Sequence, residues 1–236
     1  MRKIALLVAL LLLSAFVTFK YSKSTTHQLF GEIVDRVETT DKVVALTFDD
    51  GPTRAFTQRI LEILEDEEIT ATFFLVGNAL EKNPEEARLI AQAGHEIGNH
   101  SFSHQRMVFK SPSFIANELE RTDQLIRQSG YTGPIHFRPP YGKKLFNLPR
   151  YLDSRGIVSF TWDVAPESYG ADMNEADPVV DRVLEQVQPG SIVLMHVMFK
   201  SRESSMAATP RIIRGLKERG YRFVTVSEML KYRQPG

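Results

Sequence analysis

Val43–Pro52, VVALTFDDGP, is the stretch whose reading decides the fold. Val43, Val44, Ala45, Leu46 and Phe48 form a short apolar run with β-branched residues and little alternation, the pattern of a strand covered on both faces. Asp49 and Asp50 follow side by side, and Gly51 and Pro52 then break the chain. A buried strand therefore hands two adjacent carboxylates to a tight turn. Two carboxylates so close oppose each other's ionisation unless a cation is present. An ordinary turn that uses Asp for local hydrogen bonds has the same local sequence. The two readings separate only through what the rest of the chain brings to this turn.

Downstream, strands and helices alternate. Phe56, Ile60, Ile63 and Leu64 predict a helix over Thr53–Glu68, and TATFFLV predicts a buried strand over Thr70–Val76. Asn83, Pro84, Glu85 and Glu86 start a helix that ends at Gly94. A third strand is expected at His95–Asn99, and a long helix through Phe114, Ile115, Leu119, Thr122 and Ile126 is closed by Gly130. Ile135–Phe137 reads as a fourth strand, Leu148–Ser154 as a helix and Ile157–Thr161 as a fifth strand. Asp177 and Pro178 start the next helix, Ile192–Met195 is a sixth strand, and Thr209–Pro210 is expected to cap a helix carrying Ile212, Ile213 and Leu216. Arg222–Val226 reads as the seventh strand, with a last helical turn over Ser227–Tyr232. This alternation implies parallel βαβ units. With about seven units, where an eight-unit barrel typically takes about 250 residues, the expected fold is α/β, a distorted, incomplete (β/α) barrel. A doubly wound open sheet is the alternative.

Upstream, Arg2 and Lys3 precede an uncharged apolar run, Ile4–Phe19, closed by Lys20. Residues 1–20 read as an export signal, either an uncleaved signal anchor or a cleaved signal peptide. The basic residues before the run would keep that end in the cytoplasm and put the rest outside. Residues 21–41, rich in Ser, Thr and charge, read as a linker, and residues 42–236 as the functional domain. The chain of 236 residues balances 29 Lys and Arg against 29 Asp and Glu, so no global basic field points to nucleic acid. It has no cysteine, so any metal must be held by His and carboxylate.

In a parallel barrel the segments after each strand gather at one face, the one that carries active sites. Here they supply Asp49 and Asp50, then His100 and His104 in HSFSH, then Arg138 and Tyr141 in RPPY, then Asp163, Glu167 and Tyr169, then His196. His100 and His104 are four apart, so a helical turn would aim both imidazoles one way. With Asp50 they make a three-ligand set that leaves positions open for water. Asp49 would then be free to act as a base, kept ionised by Arg138, and His196 is placed to act as a general acid. Trp162, Tyr141 and Tyr169 are aromatics able to line a sugar groove.

TFDDGP, HSFSH, RPPY and LMH (Leu194–His196), in this order and spacing, resemble four of the five motifs of the polysaccharide deacetylases of carbohydrate esterase family 4, the NodB-homology group. The resemblance runs from about Val43 to Leu230. It implies a NodB-like distorted barrel and a divalent metal, usually zinc, with cobalt, nickel or manganese as alternatives. It assigns Asp49 as general base and Asp50, His100 and His104 as metal ligands. Arg138 would orient the base, the Tyr141 amide would bind the oxyanion, His196 would be the acid, and Leu194 would contribute to the acetyl pocket. The implied reaction removes N-acetyl groups from peptidoglycan or a chitin-like glycan outside the cytoplasm, by a monomeric catalytic domain held to the membrane through its N-terminal segment or secreted.

The fifth motif departs from the family. Its common form, W-x-V-D-x-x-D-W, provides an Asp partner for the acid His and a Trp for the groove. Here Ala165 and Ser168 replace both acids and Tyr169 replaces the Trp. Glu167, from a shifted loop, is the carboxylate available to His196. The departure leaves two other readings in view: a deacylase of a lipid-linked or O-acetylated sugar, and a catalytically weak glycan-binding relative.

Overall fold

The computed structural model of the chain describes residues 1–168 and 175–234. Its framework is a parallel sheet centred on the stretch quoted above. The strand β2 (Val43–Asp49), buried at every position, runs between β3 (Thr72–Leu75) and β6 (Ser191–Met195), and β4 (Glu96–Asn99) lies outside β3. The short strand β7 (Arg222–Phe223) pairs with Val43 and Val44 at the start of β2. A second pair, β1 (Ile33–Val34) with β5 (Ser159–Phe160), is also parallel.

Single bridges join these two sheets into a distorted barrel. Phe137 bridges Asn99 on one side and Ser159 on the other, and on the far side Arg36 bridges Ser191 while Val164 bridges Val193. Phe137 is thus all that exists of the strand expected over Ile135–Phe137. Pro134 before it and Pro139–Pro140 after it lack the N–H groups a longer ladder needs. The segment 21–41, read as a linker, is built into the wall over its second half: β1 lies here, Thr161 N–H donates to Val34 O (2.8 Å), and Val37 N–H donates to Gly190 O (3.0 Å). Val34 and Val37 are buried in the core that also holds Phe160 and Ile192.

The helices cover the outside. Before the barrel, α1 (Arg2–Ser22) stands clear of the domain except in its last turn, where Phe19 lies under Lys143 and Ser22 is buried. Around it lie α2 (Thr57–Asp66), α3 (Gly77–Lys82), α4 (Pro84–Gln92), α5 (Pro112–Gln128), α6 (Asn147–Ser154), α7 (Ala176–Gln186), α8 (Glu203–Glu218) and α9 (Val226–Met229). α4 starts on Pro84 with Glu85 and Glu86 in its first turn, as read. The Asn83 side chain, however, donates to Pro52 O and Ala79 O, both 3.0 Å, and so ties the helix to the turn after Asp50. The expected cap at Thr209–Pro210 is wrong: α8 begins at Glu203 and carries Pro210 in its interior. The Thr209 hydroxyl donates to Ser205 O (2.8 Å) within the helix, and the buried stripe of Met206, Ile212, Ile213 and Leu216 holds the helix together across the proline.

Candidate active site

The ends of β2, β4, β5 and β6, with the Phe137 bridge, open on one face of the barrel. There they form a cleft of about 530 Å³ lined by Asp49, Asp50, His100, His104, Tyr141, Trp162, Leu194 and His196. Asp49 is the last residue of β2, fully inside, and Asp50 has left the strand with φ at 72°. That sharp change turns two sequence neighbours to different surroundings.

Asp49 faces Arg138. The guanidinium is wholly buried, stacks over the Phe74 ring at 4.1 Å, and donates to Asp49 Oδ1 (2.6 Å), Thr47 Oγ1 (2.8 Å) and Thr161 O (2.9 Å). Burial alone would push the Asp49 carboxyl up. Arg138, helped by His100 and His196, outweighs it and holds the group below the ordinary carboxylate range. A charged pair this deep is tolerable because its hydrogen-bonding capacity is used. Thr47 is a residue that the sequence did not single out. It sits on the same face of β2 as Asp49, two positions earlier, and its hydroxyl donates to Val193 O (2.7 Å).

Asp50 faces His104 and His100 through Oδ1, and its Oδ2 lies 3.9 Å from His196 Nε2. Its Oδ1 lies 3.3 Å from His104 Nε2 and 3.9 Å from His100 Nε2, and one ligand atom from each of the three residues falls within 4.8 Å of the others. A tetrahedral ion with bonds of about 2.0–2.1 Å sets its ligands about 3.3 Å apart, the His104–Asp50 spacing, and the wider pairs would close on an ion bound between them. His100 Nδ1 is 2.8 Å from Arg138 O; a proton there leaves Nε2 as an acceptor toward the cluster. Burial, with His100 beside it, pulls His104 below its ordinary pKa, which keeps its ring neutral. The donor set contains nitrogen and oxygen only, which suits a divalent ion such as zinc.

The expectation that HSFSH turns helically is not met. Residues 100–104 form a loop in which Ser101 (φ 63°) and His104 (φ 55°) take left-handed backbone. Two buried anchors shape it. Asn99 Oδ1 accepts from Ser101 N–H (2.8 Å), and Glu118 on α5 accepts from both the amide and the hydroxyl of Ser103 (2.8 Å each). Their signal in the sequence was a polar residue closing a strand and an acid on the apolar face of a helix.

Across the cleft, Glu167 meets His196 as anticipated. Its Oε2 is 2.6 Å from His196 Nδ1, while Oε1 accepts from His196 N–H (2.9 Å) and Ser205 Oγ (2.6 Å). Burial disfavours charge on both groups, but the pair overrides it: Glu167 is held below, and His196 above, its ordinary value. Arg202 adds a cation 3.5 Å from Glu167 and, with Phe199, a wall of the cleft that the sequence did not indicate. Tyr141 is exposed at the rim with φ at 58°, its ring 4.7 Å from that of His104. Trp162 and Leu194 line the floor. Asp163 is not part of the cleft: one position on from Trp162, it points the other way, and its carboxylate accepts from Ser191 Oγ (2.7 Å) and Ile192 N–H (2.8 Å) to fix the start of β6. Tyr169 lies outside the described residues.

A barrel with a His-His-Asp cluster at its open end, a second Asp paired to a buried Arg and a His–Glu pair opposite has the parts of a metal-assisted hydrolase. The chain belongs to the polysaccharide deacetylase family, whose model matches residues 36–159, and its relatives support a polysaccharide N-deacetylase. Among curated relatives it is 35% identical over 189 residues to a peptidoglycan-N-acetylglucosamine deacetylase of Bacillus cereus, covering 80% of this chain and 68% of that one. It is 36% identical to the peptidoglycan-N-acetylmuramic acid deacetylase PdaC of Bacillus subtilis, covering 83% of this chain and 40% of that one. Among solved structures, a peptidoglycan N-acetylglucosamine deacetylase bound to an N-hydroxybenzamide superposes with TM-score 0.79 at 32% identity, over 85% of this chain and 94% of that one. A pseudoenzyme of carbohydrate esterase family 4 from Bacillus anthracis superposes with TM-score 0.76 at 30% identity, over 86% and 70%. The fold alone therefore does not distinguish an active member from an inactive one, and the side chains of the cleft must.

Proposed function

We propose that this chain hydrolyses N-acetyl groups on cell-wall glycan, releasing acetate and leaving a free amine on the sugar. The observation that carries the reading is the difference between the two aspartates: Asp49 is locked through Oδ1 to Arg138, with its Oδ2 3.5 Å from His100 Nε2, while Asp50 has, among the described residues, no cationic partner but the histidines around it, His104 nearest. Asp50, His100 and His104 would hold a divalent ion, zinc first, with cobalt, nickel and manganese as alternatives. Such an ion polarises a carbonyl and makes water a stronger nucleophile at neutral pH.

The chain's own groups supply the rest. Asp49, ionised and fixed by Arg138, takes the proton of the attacking water. The Tyr141 amide donates to the oxyanion as the carbonyl carbon becomes tetrahedral. His196, protonated and oriented by Glu167, gives its proton to the departing nitrogen, so the C–N bond breaks to an amine and acetate. Leu194 and Trp162 offer an apolar surface to the acetyl methyl and the sugar ring. The Glu167–His196 contact argues against the weak-binder reading, because it supplies the carboxylate that the altered motif appeared to have lost.

The substrate reading, peptidoglycan first and chitin-like oligomers next, is supported by the relatives' own activities. We also read α1 as a membrane anchor and the barrel as extracytoplasmic: α1 is an apolar helix of 21 residues, about 31 Å long, enough to span a bilayer. That anchor is the specific observation favouring a lipid-linked sugar as second substrate class. The test is acetate release from purified peptidoglycan, chitin oligomers and lipid-linked precursor, with chelation and metal add-back. Release from wall glycan that chelation abolishes and metal restores is expected. Release that survives chelation, or none from any glycan, would contradict the proposal.

A further inference from the structure

The N-terminal helix does not leave the domain on a free tether. Lys144 N–H donates to Ser22 O (2.9 Å), the buried Lys144 ammonium donates to Ser24 O, and Thr161 Oγ1 donates to Thr25 O (2.6 Å). Lys144 follows Tyr141 by three residues, so α1 exits from the cleft-bearing end of the barrel, beside the rim.

Apolar side chains are exposed around that exit. Phe109 is 82% exposed, and Phe146 and Leu29 are each 48% exposed. Phe30 packs edge-on against Phe146, with centroids 5.3 Å apart. The loop holding Phe109 is fastened to the same place by the Met107–Lys144 bridge and by Asn147 Nδ2 donating to Lys110 O (2.8 Å). Phe109 itself has φ at 56°, a backbone conformation that an aromatic residue rarely takes, and its ring projects out of the domain instead of into the core.

The segments that carry the exit and its aromatics are basic, although Glu32 and Asp153 border them. Segments 20–30, 104–110 and 141–147 contain no Asp or Glu, in a chain whose total charge is balanced, and besides the buried Lys144 they carry Lys20, Lys23, Arg106, Lys110 and Lys143, which form the collar. Lys23 and Lys143 both sit over the Phe19 ring, at 4.8 and 4.5 Å, and Arg106 lies over the Tyr141 ring at 5.0 Å. The basic collar therefore runs from the end of α1 to the rim of the cleft.

We propose that this end of the barrel is a membrane-contact surface: the domain lies against the bilayer that α1 spans, with Phe109, Phe146 and Leu29 in the headgroup layer and the basic collar against anionic lipid phosphates. The inference rests on the reading of α1 as an anchor. Exposed aromatics flanked by cations are the composition of an interfacial site, and continuity with an apolar helix of spanning length selects a bilayer over a protein partner. One consequence concerns the substrate. With Tyr141 and Arg106 at the membrane surface, the cleft meets glycan at the base of the wall, next to the lipid, before it meets the outer layers.

The absence of cysteine makes the test direct, since one introduced thiol carries one label. Full-length chain bearing a nitroxide at F109C, F146C or E65C is reconstituted into phosphatidylglycerol–phosphatidylcholine vesicles; Glu65 lines a cleft at the opposite end of the barrel. The expected result is oxygen accessibility several-fold higher at positions 109 and 146 than at 65, lowered toward the position-65 value when Lys110 and Lys143 are both changed to Glu. Equal accessibility at all three positions in vesicle-bound protein would overturn the contact while leaving the anchor intact. Protein recovered free of the vesicles would overturn both.

Discussion

At the scale of single residues, the site works by giving adjacent or similar side chains different partners. Asp49 and Asp50 are neighbours in the chain, yet one is paired to a buried guanidinium and the other faces the histidines of the cleft, His104 nearest. That two carboxylates met two histidines, an arginine and a third histidine was legible in the sequence, because a parallel barrel collects post-strand residues on one face. The ties that make the arrangement rigid were not. Thr47, Asn99, Glu118 and Ser205 are ordinary polar residues whose roles depend on contacts between positions far apart in the chain. Glu167 was visible only as a spare carboxylate in an altered motif, and its partner became certain through the 2.6 Å contact with His196. The pair has a consequence at this scale. Glu167→Gln should lower kcat on the order of 10²-fold, because His196 loses the group that fixes its tautomer and stabilises its proton, while bound metal stays at the wild-type level. Paired kinetics and metal analysis check this; unchanged kcat would mean that the contact is structural only.

At the scale of elements, the long periodic helices and buried strands were readable, and the exceptions have physical reasons. β1 was hidden because it is two residues long and lies in polar sequence. Pro210 was read as a helix start because proline is most at home there, but the apolar stripe of α8 extends on both sides of it. The seam between segment 36–37 and β6 depends on Gly190, whose φ is 79° and where an added Cβ would lie 1.9 Å from Val37 O. Gly190→Ala should therefore cost roughly 2–4 kcal/mol, measured by denaturant unfolding, from left-handed strain plus a backbone clash. A loss within a few tenths of a kcal/mol would show that the seam shifts freely and does not hold the barrel closed.

At the scale of the whole molecule, the acid response involves a group at the end of the barrel away from the cleft. His95, at the start of β4 and far from the cleft, is pushed down to about 4 by burial from an ordinary value of 6.5. Its folded pKa is depressed, so the unfolded chain takes up the proton first as pH falls. The stability associated with the neutral ring is present above about 6.5 and is lost as pH drops toward 4, by up to about 3 kcal/mol. His95→Gln should lack this share, so urea unfolding of the two proteins at neutral pH and at about pH 4 should give a smaller pH-dependent loss for the variant. Equal losses would remove His95 from the acid response. The cleft end carries the opposite design, with buried charges held in place by one another, and the proposed reaction requires Asp49, although 3.5 Å from His100 Nε2, to stay paired with Arg138 and act as base while Asp50 binds the ion. Asp49→Asn tests that division most directly, by metal content and acetate release measured on the same preparation. The predicted result is wild-type metal occupancy with turnover reduced at least ~10²-fold. Wild-type acetate release, or loss of the metal together with activity, would contradict it.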